Sequence, residues 1–393
     1  MAFNFINEQL AERHQQGLYR SATTMSGAQG RLLRVADKTY LNFSSNDYLG
    51  MAADPDLIKA WQKGAELYGI GSGGSYLVTG FNQAHQELCD QLKLWLGVES
   101  VALFSSGYSA NQAIIKLLLK KPDLLFQDKL NHASLMEAAL LSDCTMRRFK
   151  HNNMDHLESL LSISNKSSRL DANKLIISEG VFSMDGDTAP VKTLHATAKK
   201  YDAWLMIDDA HGLGVVGENG KGSAQACGIA NNNLQIYMAT FGKALGVGGA
   251  FVAGSKDLIN YINNFSKPYI YSTGLPPAMA YTITAAVKMA ETQDWRRDKL
   301  QMLITTFRKT ATNLGISLAD SRTAIQPIII GDSIKTLRIA DKLKTLGFWT
   351  TAIRPPTVPV GTARLRITLT VNHEENDVVQ LVNAIYRVLN KKS

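Results

Sequence analysis

Short apolar runs alternate along the first two thirds of this chain with longer stretches whose apolar positions recur every three or four residues. The runs Val101–Phe104, Leu124–Phe126, Lys174–Ser178, Trp204–Ile207, Leu234–Met238 and Ala250–Ala253 are predicted strands. Helices are predicted through Ala110–Ile115, Ala133–Leu141 and Val191–Tyr201. Short, mostly apolar runs with helices between them describe a sheet covered on both faces and mostly parallel. The pattern changes after Ser272-Thr273-Gly274-Leu275-Pro276-Pro277, where the prolines stop what precedes them. Long helices follow at Ala278–Glu291 and Arg297–Leu314. Then come a strand at Gln326–Ile330, a helix at Lys335–Leu346, a strand at Arg364–Leu369 and a last helix from about Glu375. The chain therefore reads as an α/β protein: a large domain with a mostly parallel central sheet between helices, and a smaller α+β C-terminal domain. The expected boundaries are a polar N-terminal arm over residues 1–40, a large domain over 41–285 and a small domain over 286–393.

Composition adds exclusions. A length of 393 residues suits about two domains, and 45% hydrophobic with 19% charged residues is ordinary for a globular protein. The formal charge of +8 is scattered, with clusters no larger than Lys120-Lys121 and Lys391-Lys392, which argues against nucleic-acid binding. Nothing is long and apolar enough to span a membrane, and the N-terminus lacks the basic start and apolar core of a secretory signal, so a cytoplasmic location is expected. Cys89, Cys144 and Cys227 form no CxxC pair, which supports neither a disulfide framework nor a cysteine zinc site.

The chemistry lies in the polar residues after the strands, because ligands of open α/β sheets bind beyond the carboxyl ends. Lys243 follows Leu234–Met238 among glycines and Thr240. A lysine so placed suits an imine with an aldehyde cofactor such as pyridoxal 5'-phosphate. Asp208 ends another strand and could keep a pyridine nitrogen protonated, with His211 three residues on. Ser106-Gly107-Tyr108 opens a helix, as a phosphate requires, and Thr240 offers a hydroxyl. His132 starts a helix and could stack on a ring; Glu179 ends a further strand. Taken singly, each has a plainer reading: a loop lysine, a capping aspartate, a structural histidine, a turn glycine. Their coincidence at four strand ends favours the shared one. Gly69–Gly74 matches the dinucleotide pattern GxGxxG, but it follows a predicted helix, Leu57–Tyr68, where that fingerprint needs a strand. Asp185 and Asp187 read as turn residues around Gly186, with no histidine nearby in sequence, and no metal is expected.

These residues, with Asn42–Gly50, Gly71–Ser75, Glu179–Asp187, Asp208–Gly212 and Thr240–Lys243, resemble the α-oxoamine synthases, a family of pyridoxal-phosphate enzymes of fold type I, over nearly the whole chain. The stretches Thr351–Pro359 and Gly361–Arg366 resemble the branch that condenses L-alanine with a pimeloyl thioester of coenzyme A or an acyl-carrier protein in biotin biosynthesis. The resemblance implies a decarboxylating acyltransferase in which Lys243 holds the internal aldimine and Asp208 pairs with the pyridine nitrogen. It implies that His132 stacks on the ring and that His211, Ser183 and Thr240 contact the cofactor, with Gly107 and Tyr108 along its phosphate. It implies that Ser272 and Thr273 reach the phosphate of a neighbouring subunit, hence a homodimer with shared sites. Arg20, His132, Thr357 and Arg366 would bind substrate, Arg366 gripping the amino-acid carboxylate with Arg364 as the alternative. Open alternatives are a synthase of the same family acting on glycine or serine, as in glycine C-acetyltransfer, an NAD-dependent oxidoreductase, and a binding protein without catalysis.

Overall fold

The computed structural model describes residues 2–166 and 172–390; the Lys391-Lys392 pair lies outside them. The chain divides into two compact units, one of Leu49–Ser183 with Asp187–Arg297 and one of Met1–Tyr48, Met184–Gly186 and Asp298–Ser393. Sequence reading expects a separate arm over 1–40 and a boundary at 286; here Met1–Tyr48 clusters with Asp298–Ser393.

The larger unit is built on seven strands: β1 (Ser100–Phe104), β2 (Leu124–Asp128), β3 (Thr145–Phe149), β4 (Lys174–Glu179), β5 (Trp204–Asp208), β6 (Ile236–Thr240) and β7 (Ala250–Gly254). They lie in the order β1-β7-β6-β5-β4-β2-β3. All pairings are parallel except those of β7, which runs antiparallel to both neighbours. The apolar runs are buried as expected: every residue of β2 is buried, and so are all but the first or last of β4, β5, β6 and β7. Among the elements that escape the sequence reading are an edge strand and the helix after it. Edge strand β3, Thr-Met-Arg-Arg-Phe, buries only Phe149 fully, and charged side chains on an edge hide the apolar signal while protecting the edge from pairing. The amphipathic helix Met154–Lys166 follows it. Helix Pro55–Tyr68 directly precedes Gly69, so the GxGxxG run has no strand before it and the dinucleotide reading fails.

The smaller unit holds two three-stranded sheets. Lys38–Asn42 pairs antiparallel with Leu32–Val35 and parallel with Phe348–Trp349. Ala363–Thr368 pairs antiparallel with Ile325–Gly331 and Thr351–Ile353. The polar start of the chain forms the helix Phe5–Gln15, which buries none of its residues. The final helix, Glu375–Asn390, is tied to residue 31: the Arg31 guanidinium reaches both oxygens of Asp377 at 2.6 and 2.7 Å. Among the described residues no helix is long and apolar enough to cross a membrane.

Candidate active site

Parallel strands carry their C-terminal residues to one end, so the register decides which side chains meet. Glu179 and Asp208 are direct partners across β4 and β5, and Asp208 is opposite Met238 across β5 and β6. Partners in a parallel ladder sit about 4.8 Å apart and point to the same face. Asp208 is buried at the end of β5. Its Oδ1 accepts from the Ala210 N–H at 3.1 Å, and its Oδ2 accepts from Asn111 Nδ2 at 2.8 Å. Asn111 lies in the helix Gly107–Leu118, whose first turn is closed by the Ser106 hydroxyl accepting from the Ser109 N–H at 3.1 Å.

The same Asn111 nitrogen donates to Ser134 Oγ at 2.9 Å, and Ser134 Oγ lies 2.9 Å from His132 Nδ1. The protons along this chain are determined. A carboxylate can only accept, so the amide of Asn111 must present its NH₂ there. Ser134 Oγ accepts from that NH₂ and keeps its own proton to donate to His132 Nδ1. The Ser134 N–H also points at Nδ1, at 3.3 Å. His132 is therefore held as the Nε2–H tautomer. Burial lowers its pKa; Asp208 pulls it up and Lys243 pushes it further down. Sequence reading did not find Asn111 or Ser134. Both look like ordinary helix residues, and nothing local marks a polar side chain that faces another strand end.

Glu179, noted in sequence only as a carboxylate after a strand, is buried in the same cluster. Burial and then the neighbouring Asp208 push its carboxyl well above the usual range, against the pull of Lys243. Its Oε2 accepts from the Ser183 N–H at 3.2 Å, which seats Ser183 at this strand end. Thr240 ends β6, donates to the Gly249 carbonyl at 2.8 Å and accepts from the Gly242 N–H at 3.2 Å, shaping the turn that carries Lys243. Lys243 is half-buried and exerts its charge on both His132 and Glu179. His211 is buried after β5. The structure thus gathers Gly107, His132, Ser183, Asp208, His211, Thr240 and Lys243 at the same ends of strands β1, β2, β4, β5 and β6. Tyr108 is exposed in the first turn of its helix. Ser272 and Thr273 lie on an exposed segment, where Thr273 pairs with Ser75.

The second member of the acid pair, Asp209, faces the other way. It accepts from Ser223 Oγ at 2.6 Å, the Ser223 N–H at 2.7 Å and Tyr237 Oη at 2.9 Å. Glycine is required around it, since a Cβ on Gly180, Gly212 or Gly222 would stand 2.1–2.2 Å from an Asp209 oxygen. Burial raises its pKa, and the Ser223 and Tyr237 bonds oppose that rise.

The smaller unit collects the remaining predicted residues. Arg20 Nη2 donates to Thr357 Oγ1 at 2.9 Å, joining two positions 337 apart in sequence. Arg366 is buried, with both terminal nitrogens 3.1 Å from Asn46 Oδ1. Arg364 is ion-paired with Asp185 and also donates to the Met184 carbonyl, so its charge is already matched. Among the described residues no group of three or more His, Cys, Asp or Glu is arranged to hold a metal ion.

Known proteins resemble this chain along its length. The family described as aminotransferase class I and II matches residues 38–385. An 8-amino-7-oxononanoate synthase of Aeromonas hydrophila subsp. hydrophila is 50% identical over 97% of this chain and 94% of its own length. Among solved structures, the serine palmitoyltransferase of S. paucimobilis with bound PLP–myriocin aldimine superposes with a TM-score of 0.91 at 26% identity, covering 98% of this chain and 97% of that one. An 8-amino-7-oxononanoate synthase of Francisella tularensis gives a TM-score of 0.77 at 28% identity over 89% of this chain and 98% of that one.

Proposed function

We infer that this chain, which belongs to the aminotransferase class I and II family, condenses L-alanine with a pimeloyl thioester and releases carbon dioxide, the 8-amino-7-oxononanoate synthase step of biotin biosynthesis. The observation that carries the reading is the buried carboxylate of Asp208, fixed by Asn111 beside His132 and within the charge field that Lys243 shares with Glu179. The cofactor is pyridoxal 5'-phosphate, which when bound draws electrons from the amino acid's α-carbon and so makes its bonds to hydrogen and to an acyl carbon exchangeable.

The residues present fit that cofactor by their donor chemistry. Asp208 would hold the pyridine nitrogen, Lys243 the aldehyde carbon, and the N–H groups of Gly107 and Tyr108 the phosphate. His132, Ser183, His211 and Thr240 would flank the ring. We assign Ser272 and Thr273 to the phosphate of a partner subunit, in a homodimer with shared sites. Their exposure supports this.

Lys243 Nζ takes the α-proton of alanine and later returns one. His132 keeps its proton on Nε2 and directs it as a hydrogen bond at the acyl carbonyl oxygen, that of the thioester during attack and that of the resulting ketone as carbon dioxide leaves. Arg366 grips the alanine carboxylate, for which a bidentate guanidinium is suited; the neutralised Arg364 is not. Arg20 and Thr357 contact substrate. The thioester is carried by coenzyme A or an acyl-carrier protein, and the enzyme works in the cytoplasm, which its three free cysteines suit. The test is a product assay with L-alanine and pimeloyl-CoA beside glycine and acetyl-CoA. Turnover in the first mixture is expected; turnover only in the second would replace this assignment with a glycine-dependent relative.

A further inference from the structure

His151, in the turn after β3, is clamped between two acids. Its Nδ1 lies 3.0 Å from Asp128 Oδ1 and its Nε2 lies 2.7 Å from Asp187 Oδ2. Since carboxylates only accept, both ring nitrogens donate and the ring is an imidazolium. Asn152 repeats the bridge: its N–H donates to Asp128 Oδ2 at 2.8 Å and its Nδ2 to Asp187 Oδ2 at 2.9 Å. To do so it adopts a left-handed backbone, φ 51°, which asparagine tolerates better than most residues. The Phe182 ring stands edge-on to His151 with centroids 4.4 Å apart.

The two acids sit at the roots of the turns that carry site residues. Asp128 ends β2, and its Oδ1 also accepts from the Leu130 N–H at 2.8 Å, shaping the turn to His132. Asp187 closes the loop after β4: its carbonyl accepts from the Phe182 N–H at 2.9 Å, next to Ser183. We propose that His151 is a positioning residue for the reaction inferred above, setting the turns of His132 and Ser183 through Asp128 and Asp187. Burial would lower its pKa, but bonds to the two carboxylates outweigh burial and hold it at about 10, so the clamp stays closed at neutral pH. Nothing in sequence signals this, because the three residues come from three separate strand-end loops.

The proposal rests on the functional reading but can fail separately. In the holoenzyme, His151→Gln is expected to keep the fold and bind cofactor. Its turnover per mole of bound cofactor should fall between about tenfold and a hundredfold, with KM for L-alanine little changed, because catalytic groups are misplaced while affinity is not. The visible circular dichroism of the bound cofactor should weaken in parallel. Asp187→Asn should move both readouts in the same direction, and the double variant should lose less than the sum of the two single changes, since both break the His151–Asp187 bond. Additive losses, or unchanged turnover and dichroism, overturn the proposal. In the unmodified protein, ¹⁵N-histidine NMR should show both ring N–H groups of His151 at about pH 8; a neutral ring there overturns it even if no variant folds. If the unmodified enzyme makes no product from L-alanine, the functional reading fails, while the dichroism and the NMR still judge the clamp.

Discussion

Replacing Asn111 with leucine separates the polar role of this residue from its packing. The two side chains are close in size, so no large cavity opens; what disappears is one NH₂ that donates to Asp208 at 2.8 Å and to Ser134 at 2.9 Å. A hydrogen bond to a charged group is worth about 1.5–3 kcal/mol and one between neutral groups about 1 kcal/mol. The orphaned Oδ1 of Asn111, buried without a partner, is relieved by the change, so the net destabilisation should be about 2 kcal/mol. The catalytic effect has two sources. Asp208 keeps only the Ala210 N–H of these two donors and can swing. Ser134 Oγ, no longer occupied as an acceptor, can rotate away from donating to His132 Nδ1, which leaves only the Ser134 N–H to hold the tautomer. A loss of about ten- to a hundredfold in turnover follows, corresponding to about 1.4–2.7 kcal/mol of barrier. The assay is steady-state turnover at saturating L-alanine, normalised to bound cofactor, with thermal unfolding run beside it. Turnover per bound cofactor within twofold of the parent, whatever the melting temperature, would refute the idea that the His132–Ser134–Asn111–Asp208 chain sets the protons of the site.

Further outcomes can be checked on stability alone. Gly212→Ala should cost about 2–4 kcal/mol in chemical unfolding, because its Cβ would stand 2.1 Å from Asp209 Oδ1 and displace a buried, triply bonded carboxylate. Gly30→Ala, where no heavy atom lies within 4 Å, should stay within about 0.5 kcal/mol, and equal costs at both sites would contradict the packing argument. Asp377→Asn should cost about 1–2 kcal/mol at neutral pH and nothing in strong acid. Burial raises the Asp377 pKa, but the Arg31 bonds and the Glu374 N–H more than reverse it, so its contribution is present above the ordinary carboxylate range and lost as pH falls through its lower folded value. His151 behaves oppositely. Its folded pKa of about 10 exceeds the ordinary value of 6.5, so its stabilisation is full below pH 6.5 and is lost as pH rises through about 10. Asp128 and Asp187 are the charged groups facing it. Between pH 7 and 10 the parent should lose up to about 3 kcal/mol more than His151→Gln, and parallel pH profiles would count against the clamp.

What was written plainly along the chain was the sheet and its chemical endings. The cores of the runs at Lys174–Ser178 and Trp204–Ile207 are continuously apolar because both faces of those strands are covered. Hence the acids and the histidine that follow them, and the lysine that follows Leu234–Met238, could be read as strand-end groups before any coordinates. Edge strand Thr145–Phe149 stayed hidden because an edge needs little apolar surface, and with it went the turn that delivers His151. Asn111 and Ser134 stayed hidden because a polar residue on a helix carries no mark of what it faces; only the packing of two helices against the end of β5 makes them partners of Asp208. The divergence of Asp208 and Asp209, adjacent in the chain, was likewise decided in three dimensions. The alternation of the strand sends one towards His132 and the other into a nest of glycines and hydroxyls, and the same carboxylate chemistry becomes a site in one place and a structural knot in the other.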